Sequence, residues 1–236
     1  MRSILFAVLT LVPLWGYPAP ENRLGDFEYW QQSEGWWLGN NSYMDGQMNY
    51  RVKQYHTITG IAVEDGKVVE TEYKFFPPGE GSAFASGGKV GADRGIEIIT
   101  ISEHARADSA GTVRQVSIRP DLAGSNGMET RLVAPDSAIR RVLDPVSGYE
   151  HYRQFISLNP RDKRYVINMG LVSESADEHA DIGSLRGFAV SRAERIAADR
   201  VESERARLRV LHAVGGTVSS APDGTRTVEV YEDPEG

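Results

Sequence analysis

Between Ser42 and Val63 apolar and polar residues alternate for most of the run, the period of a strand with one buried face. Met44, Met48, Tyr50, Val52, His56 and Ile58 share one parity, and Asp45, Gln47, Asn49, Arg51 and Lys53 hold the other. The first set is therefore expected to face a core. Asp65-Gly66 in AVEDGKVVE sits between two β-rich runs and predicts a hairpin with Val68–Phe76 as its return strand. On that strand Val69, Thr71, Tyr73 and Phe75 form the matching inward parity, with Glu70, Glu72 and Lys74 outward. Pro77-Pro78-Gly79 ends it, and the glycine-rich stretch up to Gly95 reads as a long loop.

Seven further short runs read as strands: Ile96–Ser102, Thr112–Arg119, Met128–Val133, Ala138–Leu143, Tyr149–Leu158, Arg164–Val172 and Leu185–Arg192. Turn-forming residues separate them, and no helical period intervenes. The expectation is an all-β fold, an antiparallel up-and-down β-barrel of about nine or ten strands, because a sheet of that length curls and closes. The pattern then changes: Ser191–Ala213 is rich in helix formers, with apolar residues at Ile196, Val201, Leu208 and Leu211 and a stop at Gly215-Gly216. One amphipathic C-terminal helix is expected there, packed across the barrel or against a second copy of the chain as a homodimer, its Arg/Glu pairs forming a solvated face. Thr217–Tyr231 then folds as a last hairpin around Asp223-Gly224. The expected organisation is an N-terminal apolar segment over 1–19, a barrel over 24–192 and a helix with its tail over 193–236.

Composition narrows the functional classes. The chain has 236 residues, a formal net charge of -7 and a pI near 5.3, which argues against a nucleic-acid partner. Ile4–Trp15 is an apolar run behind Arg2, too short for a membrane span of about 20 residues, and it reads as the core of an export signal, as a buried N-terminal strand or as an uncleaved anchor. The expected location is periplasmic or secreted. Cysteine is absent, which removes disulfides, a thiolate nucleophile and cysteine zinc sites.

Gly35-Trp36-Trp37 reads as G-x-W ahead of a strand. It resembles the entry to the first strand of a lipocalin, or more broadly of the calycin barrels. The resemblance implies a tryptophan that closes the barrel base against a basic residue near the last strand, a role Arg186 in LRGFAVSR could take. Trp37–Tyr43 also resembles the W-x-G-x-G opening of the haem-binding nitrobindin barrels, but Asn41 replaces their second glycine. No cofactor is expected.

Candidate chemistry follows from parity. His56 and Tyr73 fall on neighbouring strands and one face, within reach of each other for proton transfer or for an inert hydrogen bond in a core. In Tyr149–Arg153, inward His151 and Arg153 would polarise an anionic or carbonyl oxygen, whereas inward Tyr152 and Gln154 would make a milder hydrogen-bonding pocket. On the next strand Tyr165, Ile167 and Met169 share one face and Asn168 takes the other. The candidate catalytic set is thus His56, Tyr73, His151 and Arg153, and the candidate ligand-binding set is Met48, Tyr50, Tyr152 and Asn168. The middle-strand arginines Arg114, Arg119, Arg131, Arg140 and Arg141 are expected to be outward partners of Glu97, Glu103 and Glu129; one inward arginine would imply an acidic ligand. The five histidines form no HxH or HxxxH pair, and the acidic loop Ser173–Asp181 lacks EF-hand spacing, so no metal site is expected. Nucleophile-elbow, P-loop and dinucleotide fingerprints are missing.

Three readings remain open: an exported calycin-like barrel holding a small, mainly apolar or aromatic ligand; a cofactor-independent lyase, isomerase or hydratase with a His/Tyr pair inside the barrel; and a structural or assembly protein whose barrel is filled by its own side chains.

Overall fold

The computed structural model describes residues 27–64, 67–79, 94–104, 111–115, 127–143, 150–159, 162–171, 185–220 and 227–230. The signal-like segment, the turn at Asp65-Gly66, most of the glycine-rich loop, the loop Ser173–Asp181 and the turn at Asp223-Gly224 lie outside the described residues. A short helix α1 (Glu28–Ser33) leads into ten strands, β1 (Gly35–Asp45), β2 (Tyr50–Glu64), β3 (Lys67–Phe76), β4 (Gly95–His104), β5 (Val113–Gln115), β6 (Gly127–Ala134), β7 (Ser137–Leu143), β8 (Glu150–Asn159), β9 (Lys163–Leu171) and β10 (Leu185–Ile196). Helix α2 (Val201–Leu211) and strands β11 (Val214–Ser220) and β12 (Thr227–Val230) follow. The fold is mostly β and antiparallel with one C-terminal helix, as the alternation predicts.

The meander comes round so that β10 pairs with β1, and the sheet order runs β12-β11-β4-β3-β2-β1-β10-β9-β8-β7-β6-β5. The curl is plain from the core: Trp37, Ile61, Val68, Val113, Ala138, Ile156, Leu158, Val166 and Ala193 come from eight strands yet form one cluster with Tyr29 and Trp30 of α1. Residues so far apart in a sheet meet only on a concave face. The ladder does not close, because β4 and β5, consecutive in the chain, lie side by side without pairing among the described residues. Instead β11 runs parallel to β4 over Gly95–Thr100 and covers part of that edge.

Helix α1 plugs one end. Trp30 donates its indole N–H to the Gly111 carbonyl at 3.0 Å, and Trp37 donates to the Ser33 carbonyl at 2.8 Å, so neither buried ring leaves a polar atom unpaired. The Arg195 guanidinium lies 4.3 Å from the Trp37 ring centre and donates to the carbonyls of Glu34 and of Gln32. The basic partner of the tryptophan is thus Arg195, not Arg186, whose side chain lies outside the described residues. The ladder sets this choice: Arg195 is the direct cross-strand partner of Trp37. Gly35 is required beside it, since its φ of +113° is unfavourable for other residues and a Cβ there would sit 2.7 Å from Arg195 Nη1.

The other tryptophan faces the opposite way. Trp36 lies on the convex side, its ring stacked 6.2 Å from Tyr73 and pressed on Gly60, where a Cβ would fall 2.6 Å from the indole. With Leu38, Ile58, Tyr73 and Phe75 it forms a second core that α2 covers through Val201 and Leu208. Both faces of β1–β3 are therefore buried, which corrects the expected orientation. His56, Ile58, Tyr73 and Phe75 lie under α2, while Glu70 points into the concavity. Of the first parity set, Val52 joins an interior cluster with Tyr55, Phe76 and Ile96, because an irregularity in the β1–β2 register lets Val52 and Tyr55 share a face.

Two boundaries also differ. Ser42–Val63 is two strands, not one: the Asp45 carboxylate accepts the backbone N–H groups of Gln47 and Asn49, and Met48 takes φ 68°, closing a tight turn. Those same two N–H bonds, that of Asn49 first, hold the Asp45 carboxyl below its ordinary value. At the other end Ser191–Ile196 continues β10 rather than starting the helix, since pairing with β1 overrides helix propensity there. Helix α2 is anchored by Glu97 of β4, fully buried, whose two oxygens receive Arg205 at 3.0 Å and Arg209 at 2.6 Å. Arg205 is thereby withdrawn from the solvated face expected of the helix, whereas Arg200, Arg207 and Arg209 stay half-exposed on it.

Replacing Arg195 with alanine is expected to cost about 2 kcal/mol, from its hydrogen bonds to carbonyls and its contact with the indole, measurable by urea unfolding. Glu97→Gln removes a buried counter-charge and should cost about 3 kcal/mol, with α2 becoming the first segment cut in limited proteolysis.

Candidate functional site

Alternation along the ladder identifies the interior wall. Tyr43, Ala189, Asn168, Gln154, Arg140 and Thr130 follow one another across β1, β10, β9, β8, β7 and β6. Lys74 and Glu72 face them from β3, beside Ile98 and Thr100 of β4. An ion pair crosses the hollow: Arg140 of β7 donates to both oxygens of Glu70 of β3, at 2.7 and 3.3 Å, and its Nε donates to Thr130 Oγ1 at 3.1 Å. These strands stand six places apart in the sheet. An inward arginine exists, and its acid is supplied by the protein itself.

Above that pair the wall is polar. Gln154 donates to Asn168 Oδ1 at 2.7 Å, while Gln154 Oε1 is buried with no hydrogen-bond partner. Asn41 donates to the Tyr55 carbonyl and to Thr57 Oγ1, both at 3.3 Å. Lys74 pairs with Glu72 at 2.9 Å, and the two side chains stay 34% and 26% exposed although they point inward. Gln154 and Asn168 are likewise half-buried. Solvent therefore reaches this part of the interior. Below it lie Tyr43, Val52, Tyr55, Phe76, Ile96 and Ile98 as an apolar floor.

The sequence-derived candidates divide. Asn168 lines the interior, and Gln154 beside it selects the hydrogen-bonding alternative for β8. Arg153 points the other way and holds Glu150, which also receives Arg141 at 2.9 Å. The Arg153 hydrogen bond, followed by that of Arg141, holds the Glu150 carboxyl below the ordinary range. The side chains of His151 and Tyr152 lie outside the described residues. Met48 and Tyr50 do not line the hollow: they sit at the Asp45 turn, 63% and 58% exposed.

His56 and Tyr73 share the convex face but do not pair with each other. Tyr73 lies under the Arg205 guanidinium, 4.1 Å from its ring centre. His56 Nδ1 stands 2.8 Å from Nε2 of His212, the residue that caps α2, so folding brings together two histidines 156 positions apart. Gln54 Nε2 approaches the other His56 nitrogen at 3.5 Å. Among the described residues no third histidine or carboxylate joins them into a set of three metal donors. Burial first, then the Arg207 charge, lowers the His56 pKa; burial, His56 and Arg207 together bring His212 to about 4. The two rings share one proton between facing nitrogens, and a second would be repelled.

The residues that sequence reasoning missed are Glu70, assigned outward by its parity, and Arg140 and Arg164, whose inward direction depends on the register of β7–β9. The short α1 carries too few residues for a period, although its Tyr29-Trp30 pair was a signal of burial.

These features define a curled, mostly antiparallel β-sheet, unpaired between β4 and β5 among the described residues, with an interior Trp37–Arg195 closure and a polar wall. No family model matches the chain, and no curated protein matches it. Among solved structures, the S-type phycobiliprotein lyase CPES from Guillardia theta is similar, with 10% identity and a TM-score of 0.40 over 77% of this chain and 99% of that one.

Because both histidine pKa values lie below the ordinary 6.5, the folded chain binds fewer protons than the unfolded chain from that value down to about 4. Stability is thus expected to fall as pH drops through this window. The urea midpoint measured from pH 7.5 to 4.5 should decline more steeply for the native chain than for His212→Gln, which cannot titrate.

Proposed function

We propose that the chain is an exported, calycin-like small-molecule-binding protein whose ligand sits against the polar wall, with an apolar body on the Tyr55–Phe76 floor. The observation that carries this reading is the Gln154 carbonyl oxygen, buried on the interior face without a donor. A buried acceptor left unpaired costs about 1–3 kcal/mol, a cost a ligand donor would remove. The half-exposed Asn168, Glu72 and Lys74 around it give the wet, convergent polar groups that fix orientation in such sites, and the aromatic floor supplies the apolar area from which affinity comes. Export rests on the signal-like N-terminus alone.

The acid–base alternative inside the barrel loses its pair, since His56 and Tyr73 stand on the convex side. The assembly reading keeps one observation in its favour: Phe155, Ile167 and Val190 are cross-strand neighbours on the convex face and are 38%, 46% and 42% exposed, an uncovered apolar row.

Native mass spectrometry of the chain purified from its own source is expected to show a stoichiometric small-molecule adduct lost on acid denaturation. Asn168→Ala should weaken rebinding of that molecule roughly tenfold, through loss of a positioned hydrogen bond. An adduct-free chain that is dimeric by light scattering would favour the assembly reading instead.

A further inference from the structure

Among the described residues one inward cation, Arg164, has a buried nitrogen with no hydrogen-bond partner and no carboxylate in an ion pair with it. Arg164 of β9 stands between Leu158 of β8 and Ala193 of β10, both members of the concave core, while its strand neighbour Tyr165 is 40% exposed on the opposite face. Arg164 is 6% exposed, and its Nε has no hydrogen-bond partner. Other inward cations among the described residues are balanced: Arg140 by Glu70, Lys74 by Glu72, and Arg195 at the plugged end by Asp162 at 3.1 Å. Among the described residues no carboxylate lies within ion-pair distance of Arg164.

A buried guanidinium nitrogen without an acceptor is costly, and so is a buried charge without a counter-charge. The neighbours sharpen the picture. The Tyr29 phenol of α1 feels the Arg164 charge most strongly among its charged neighbours, with Arg140 next, yet burial outweighs both and raises its pKa above 10.0. That hydroxyl is therefore neutral and able to donate near neutral pH. A guanidinium and a phenol set in a wall of Leu158, Val166 and Ala193 suit a compact monoanion with a carbon skeleton. A phosphate dianion would leave surplus negative charge among apolar groups.

We propose that Arg164 binds the carboxylate of a small organic acid inside the barrel, its carbon skeleton directed toward the apolar floor of Tyr55 and Phe76. This rests on the ligand-binding reading above and assigns that ligand's chemical class. The guanidinium fork matches a carboxylate in two parallel hydrogen bonds, and the charge that is unfavourable in the empty protein becomes the source of selectivity in the filled one.

Octanoate and 1-octanol, alike except for the head group, separate this inference from the reading beneath it. In isothermal titration with the full chain, octanoate is expected to bind roughly 10- to 100-fold more tightly than octanol, the worth of a charge-assisted hydrogen-bonded pair. Arg164→Met should abolish that preference while leaving octanol binding within about twofold, and Arg164→Lys should keep part of it. Equal affinity of the native chain for both probes overturns the carboxylate assignment and leaves the ligand-binding reading standing. Failure of both to bind overturns that reading as well. Unchanged octanoate preference in a folded Arg164→Met variant removes Arg164 from the site.

Discussion

The ion pair between Glu70 and Arg140 fixes what kind of interior this protein has. It joins two walls that lie on opposite sides of the hollow, it is hydrogen-bonded through three nitrogen contacts including Thr130, and it stands next to the aromatic plug of α1. Two charges withdrawn from water in this way hold only when the geometry is good and the remaining donors are satisfied. Their presence makes the concave face polar as well as apolar.

A second consequence is that the sheet has two cores. α1 fills the inside near Trp37, and α2 seals the outside over Ile58 and Phe75. The adjacent tryptophans Trp36 and Trp37 belong one to each core, which is why a strand would carry both side by side. Glu97 is to the outer core what Glu70 is to the inner: a buried acid whose arginine partners come from a distant element.

The strands were legible because turns and alternation are local signals, and most strand limits fall within two residues of those expected. Facing was not legible on β2 and β3. Alternation there separates charged from apolar positions, and the usual inference sends the apolar set inward. With α2 covering the convex side, the apolar set of Ile58, Tyr73 and Phe75 belongs outside, and the charged set of Glu70, Glu72 and Lys74 lines the hollow. The partners that make this tolerable, Arg140 and the α2 helix, lie far along the chain, so no local window contains them. The Gly35-Trp37 motif was readable as a closure, but its arginine could be chosen only by the register that sets Arg195 opposite Trp37. Asn168 was reachable by parity alone, since Tyr165 and Ile167 on the other face are genuinely outward.

The unpaired boundary between β4 and β5 has a mechanical meaning. Elsewhere the wall is stitched by continuous ladders, ten residue pairs long between β1 and β10. Parting those two strands would strip many backbone groups of their partners at once. Moving β5 away from β4 would break no ladder among the described residues, so what holds β5 on that side is packing, Val113 in the core and the Trp30 bond to the Gly111 carbonyl, rather than backbone pairing.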